Sequence, residues 1–338
     1  MIDLLVVGGG PAGLATAVHA TLAGMETVVL EPRPSPVDKA CGEGVMPSGV
    51  RALRALGLEL PPGHPLRGIR YVRGPHHAEA PFGDGTGLGV RRTDLHAALT
   101  RRAEEAGVKI VTDRAGEIGQ SADSVTAAGL RARWLVAADG LHSPVRRGLG
   151  LDLPDRRPRR YGLRRHYHVR PWTDFVEVHW SAAGEAYVTP VAEDVVGVAV
   201  LSSQRRGYEE HVAGFPDLLA RLDGPPATSV RGAGPLRQRV RRRTAGRVLL
   251  VGDAAGYVDA LTGEGVALAL ASAEAAVRCL RAGHPERYER EWRRLSRRHR
   301  LLTEGLVRVA GRPAGARLIV PAAARLPSVF TAAVRALQ

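Results

Sequence analysis

The chain has 338 residues, 44% hydrophobic and 24% charged, which is enough apolar material for a sizeable core and excludes a disordered, collagen-like or mainly coiled-coil protein. The formal charge is +14, and among 48 basic residues only Lys39 and Lys109 are lysines, a skew that reads as compositional bias with no nucleic-acid function attached. Cys41 and Cys279 are too few and too far apart for a disulfide framework, and the apolar run Leu4 to Val7 is too short for a signal or a membrane span, so the chain reads as cytoplasmic.

Residues 2–7 predict a strand, Gly8 to Gly13 a glycine-rich turn, and residues 14–23 a helix. A second apolar run, Thr27 to Leu30, then ends at Glu31. Gly8, Gly10 and Gly13 match G-x-G-x-x-G between strand and helix, with Ala12 inside the turn. The first glycine permits the tight turn, the second lets backbone amides approach a pyrophosphate, and the third lets helix and strand pack closely. Glu31, eighteen residues after Gly13, is placed to accept hydrogen bonds from a ribose diol. The unit reads as a dinucleotide site and leaves NAD and FAD both open.

A helix is expected over 93–106 with Thr93 as its N-cap, then strands at 108–111 and 134–138. Alternation over about 160–202 predicts an antiparallel sheet. On one strand face, Arg164, His166, His168 and Arg170 fall together; the two histidines suit orienting a phenolate or taking a proton, and with no third ligand at a recognisable spacing no metal is expected. A buried-type strand returns at 248–251, followed by a glycine turn and a helix at about 264–282. The tail over 286–309 predicts a helix lying over the core with arginines outward, the competing view being a basic amphipathic helix touching an anionic membrane. Residues 317–338 are apolar but interrupted by Pro321 and Pro327.

The fold class is α/β: a Rossmann-like, glutathione-reductase-type nucleotide domain (1–70, 90–155 and 240–285) interrupted by a β-rich substrate domain (71–89 and 156–239), with a C-terminal helical segment (286–338).

Two later strings carry a resemblance. VAADGLHSPVRR at 136–147 places Asp139-Gly140 after a strand, with Ser143 and Arg146 following; VLLVGDAAGYVDALTGEGVALALASAEAA at 248–276 places Gly252-Asp253 after another strand and Gly263-Glu264-Gly265 at a helix start. These resemble the Asp-Gly and Gly-Asp fingerprints of the FAD family that includes aromatic hydroxylases, flavin halogenases and geranylgeranyl reductases. The resemblance implies FAD as cofactor, Asp253 on the ribityl chain, a helix N-terminus aimed at the pyrimidine end of the flavin, and Arg92 reaching the flavin. KACGEGVMP at 39–47 and the LTGEG turn look most like geranylgeranyl-reductase-type proteins, which implies Cys41 near the isoalloxazine. Where those proteins carry Y-x-W-x-F-P, this chain has Glu185-Ala186-Tyr187-Val188-Thr189-Pro190, so polar Glu185 and Thr189 are expected in place of aromatic lining. The halogenase W-x-W-x-I-P motif and catalytic lysine have no match.

The leading expectation is an FAD-dependent monooxygenase, reduced by transiently bound NADH or NADPH, that uses O2 through a flavin hydroperoxide to hydroxylate a small aromatic or polyketide-like metabolite. The alternative is a flavin reductase that saturates a C=C bond of an isoprenoid or related lipophilic substrate. Cys41, His166, His168 and Tyr187 are the catalytic candidates. A small molecule is the expected partner, nucleic acid is not, and the oligomeric state stays open.

Overall fold

Apolar runs without polar alternation suit strands buried on both faces. Thr27–Leu30 forms such a strand in the computed structural model, which describes residues 1–337, and Ile2–Val7 from Leu4 and Leu130–Ala137 from Leu135 are buried in the same way, Arg131 and Arg133 marking the exposed start of the latter; Gln338 of the expected tail lies outside the described residues. They sit at the centre of an eight-stranded sheet. Its parallel part runs in the order Val248–Leu250, Leu130–Ala137, Ile2–Val7, Thr27–Leu30, Lys109–Val111. The register sets Val7 beside both Ala137 and Leu30, and Ala137 beside Leu250. The segments beginning at Gly8, Glu31, Ala138 and Val251 therefore leave the sheet at one level, on the carboxyl edge where open parallel sheets form their ligand crevices.

Helices pack on this sheet. Pro11–Leu22 and the alanine-rich Gly265–Arg281 pack against each other and share the largest core cluster with the strands. The helix expected to begin at Thr93 spans Arg92–Glu105, with Arg91 in the cap position. The Thr93 hydroxyl turns to Asp94, so its local capping signal is unused.

A second sheet has seven strands, ordered 231–233, 161–167, 196–202, 184–190, 175–181, 68–73 and 76–81, antiparallel except where Phe175–Ser181 meets Gly68–Arg73. Gly68, Ile69 and Arg70, grouped by sequence with the nucleotide domain, open a strand of this sheet. The tail continues as Tyr288–Ala310, Pro313–Arg325 and Pro327–Arg335. Pro321 lies inside its helix and does not break it. Ile319, Val320 and Ala323 on either side of it are buried against the second sheet, and that packing outweighs the lost backbone bond. The break falls at Pro327, where the two helices meet at 101°; no single described helix is long and apolar enough to cross a membrane.

A candidate dinucleotide cradle and the loops over it

The glycine turn is fixed by close approach. A Cβ on Gly13 would stand 1.8 Å from the Gly8 carbonyl oxygen, so the first helix can lie against the first strand only with hydrogen at this position. Gly10 differs, since a Cβ there would meet nothing nearer than Arg92 Nη2 at 3.8 Å. That opening lies at the N-terminus of Pro11–Leu22, where free amides and the helix dipole favour an anion. Ala12 packs across the turn toward Gly252, whose φ of +56° and proximity to the Ala12 methyl leave no room for a side chain.

Glu31 sits at the end of the second strand with its carboxylate accepting from the Gly9 amide (2.9 Å) and from Arg33. Burial alone would raise its pKa; the bonds from Arg33 and Gly9 reverse that and hold it ionised. Asp139 accepts from the Val145 amide through Oδ2, while its Oδ1 is buried without a partner. Ser143 caps the short helix Pro144–Gly148 by accepting from the Arg146 amide at 2.9 Å. The Arg146 guanidinium, 1% exposed, then reaches the carbonyls of Leu141 and Ala254 and the Gln238 side chain, joining the Asp-Gly and Gly-Asp segments.

Arg92 is buried with Nη1 unpartnered, and desolvation lowers its pKa despite nearby Cys41, Asp253 and Glu43. Asp253 is pushed up by burial against the pull of Lys39, Arg92 and Arg146. Lys39, by sequence no match to the halogenase catalytic lysine, shares this cleft: desolvation and then repulsion from Arg33 and Arg92 depress its pKa, and its Nζ comes within 3.3 Å of where a Gly140 side chain would begin. Its loop lacks a strand-end glycine signal, so only the fold reveals it. An open space at Gly10, unmet polar atoms on Arg92 and Asp139, and acids and bases spaced along one sheet edge suit a dinucleotide with a diphosphate. Glu31 would hold its ribose, the first helix its pyrophosphate, and Arg92, Lys39 and Asp253 its flavin end.

The loop 41–46 and the turn 257–264 lie next to this cleft. Cys41 is half-buried, accepts from the Glu43 amide, and keeps its thiol proton because burial raises its pKa. Glu43 is buried at φ +60°, a strained setting for a non-glycine residue. One carboxylate oxygen caps the helix Arg92–Glu105 through the Arg92 amide (2.8 Å), and the other meets His166 Nε2 at 2.5 Å. His166 also contacts Thr228 and Arg164, so both its ring nitrogens are engaged. The strand ends at Tyr167; His168 and Arg170 lie beyond it and are exposed, so the four residues expected on one face do not form a group.

Tyr187 donates to the Leu261 carbonyl (2.9 Å), Thr189 to the Gly42 carbonyl (2.7 Å), and Glu185 pairs with Arg160, which also binds Asp259. Gly263, at φ +70°, approaches Met46, and Gly265 faces Tyr257 at the start of the long helix. Glu264 between them is 6% exposed, and burial lifts its pKa to about 8. Its carboxyl is protonated in the fold where the unfolded chain, near pH 4.5, has already released its proton. The cost of burying the charge is thus absent below pH 4.5, grows as pH rises, and is complete above about pH 8, with a ceiling of about 5 kcal/mol. Glu264→Gln is expected to flatten the fall in melting temperature between pH 6 and 9; a variant that loses stability with pH as steeply as the parent contradicts this.

The FAD binding domain family matches residues 1–283. The menaquinone reductase of Mycolicibacterium smegmatis is 26% identical over 373 residues, spanning 99% of this chain and 91% of that protein. Digeranylgeranylglycerophospholipid reductase 1 of Methanopyrus kandleri is 30% identical, spanning 79% of this chain and 77% of its own length. Among solved structures, a triple mutant of a flavin-dependent brominase superposes with a TM-score of 0.84 at 16% identity, covering 100% of this chain and 94% of the brominase.

Proposed function

The chain belongs to the FAD binding domain family and is an FAD-dependent oxidoreductase, and from that premise we propose that it saturates a carbon–carbon double bond of an isoprenoid or related lipophilic substrate. One observation carries the reading. Glu185, Tyr187 and Thr189, the polar groups of the strand Gly184–Pro190, are all consumed in fastening the second sheet to Arg160, Leu261 and Gly42. What remains around them is apolar: Met46, Val176, Val178, Trp180, Leu236 and Leu261 form one cluster. The polar lining expected from sequence is spent internally, so it no longer argues against a greasy substrate.

The hydroxylase reading loses its directing groups by the same geometry, with His166 held by Glu43 and Thr228 and His168 outside the strand. The names of the two relatives, both reductases, support the same choice.

Bound FAD, reduced by NADH or NADPH, supplies the electron pair for such a reaction. The protein's part is placement. Glu31 would bind the ribose, the amides at the start of the first helix would bind the diphosphate, and Arg92 and Lys39 would offset negative charge at the flavin end. The N-terminus of Gly265–Arg281 would stabilise charge on the reduced ring. Cys41 Sγ, held protonated, is the group we assign to deliver the proton that completes addition to the double bond. The apolar cluster would keep water away from the reacting bond.

The test uses FAD-loaded protein and a geranylgeranyl lipid under anaerobic reducing conditions. The expected product gains two hydrogens per double bond. No anaerobic product, together with a labelled oxygen atom from O2 in the aerobic product, would overturn the reading in favour of hydroxylation.

A further inference from the structure

The helix Pro313–Arg325 carries only two polar side chains, Arg317 and Arg325, and is apolar around most of its circumference. A helix of that kind is ordinarily buried all round or in contact with lipid. Here one face is covered: Ala316, Ile319, Val320 and Ala323 are buried, and Phe330 and Val334 of the next helix join them against the second sheet. At 100° per residue, Leu318 and Arg325 fall on the opposite side. Leu318 is 64% exposed, and Leu326 and Val329 at the bend are 55% and 60% exposed.

The charge around these side chains has one sign. Glu304 is the last acidic residue in the chain, whereas Arg308, Arg312, Arg317, Arg325 and Arg335 follow it, all exposed. Exposed leucine and valine interleaved with arginine and no acid is the pattern of a helix lying in a membrane interface, with apolar groups at the acyl boundary and guanidinium groups on phosphates. A second copy of this chain would bring the same cations face to face, on a protein already carrying +14. A nucleic acid would leave the leucines and valine without a partner.

We propose that the outer face of the two last helices, with Leu318, Leu326 and Val329 at its centre and Arg312, Arg317 and Arg325 around them, docks the protein on a bilayer rich in anionic phospholipid. The inner face of the pair, packed on the second sheet, would hold it along the lipid surface. The inference concerns location alone and stands whether or not the reductase reading holds.

The experiment is flotation of the full-length, FAD-loaded protein with vesicles of phosphatidylglycerol and phosphatidylcholine in equal parts, against vesicles of phosphatidylcholine alone. Preferential flotation with the anionic vesicles, weakened by salt, is expected. The triple variant Leu318→Glu/Leu326→Glu/Val329→Glu should lose about tenfold or more in partitioning while keeping its flavin content, and Arg317→Gln/Arg325→Gln should lose the preference for anionic lipid. The retained flavin absorbance shows that the variants fold. The proposal is overturned if the parent protein stays in solution with anionic vesicles, if the triple variant floats as well as the parent, or if light scattering shows a dimer that the triple substitution dissolves.

Discussion

Gly13→Ala is expected to yield protein that no longer retains FAD. The added methyl would stand 1.8 Å from the Gly8 carbonyl oxygen and 3.2 Å from the Ala138 side chain, and both neighbours belong to the central sheet's carboxyl edge. The helix Pro11–Leu22 would have to move outward, withdrawing its terminal amides from the diphosphate and opening its contact with Gly265–Arg281. Overpacking of this kind costs about 1–3 kcal/mol, and the displaced anion site should weaken FAD binding by about a hundredfold or more. Gly10→Ala is the companion variant. Its methyl enters open space, so the cofactor-free protein should melt like the parent while FAD binding falls. Flavin absorbance after gel filtration and melting curves with and without added FAD read both effects. A Gly13→Ala protein with a full complement of flavin and the parent's melting temperature contradicts the account of the turn.

Arg146→Met should cost about 3–5 kcal/mol and loosen the flavin end of the cradle. The guanidinium is almost wholly buried and binds Asp152, the Ala254 and Leu141 carbonyls and Gln238, so removing it strands several acceptors at once. Asp253 also loses one of the three cations that oppose its tendency to protonate. Arg146→Lys keeps a charge but not the planar fork, and an intermediate loss is expected. Thermal melts and fluorescence-monitored FAD release measure the two effects; a methionine variant equal to the parent in both would remove Arg146 from its joining role.

The cradle was legible because each part announces itself locally. Gly8, Glu31, Asp139 and Gly252 all directly follow or nearly follow a short apolar strand, and a parallel register converts those separate signals into one edge. Alternation in the second sheet correctly put Arg164 and His166 on one side, but it carries no information about the partner. Glu43 lies 123 residues away from His166 and reaches it from a strained loop. The same carboxylate supplies the helix cap that Thr93 was expected to provide, a tertiary solution no local pattern signals. Lys39 was invisible for a related reason: its environment consists of Arg33, Arg92, Asp253 and Glu31, brought together only by folding. Glu185 and Thr189 show the limit of reading polarity as lining, since here both side chains are turned onto partners within the protein.

The most direct measurement is an anaerobic titration of the photoreduced, FAD-loaded protein with a geranylgeranyl lipid. The account predicts that the yellow absorbance returns in proportion to lipid added, with saturated product formed in step and no oxygen present. A protein that stays bleached through the whole titration and regains its colour only when air is admitted would contradict it.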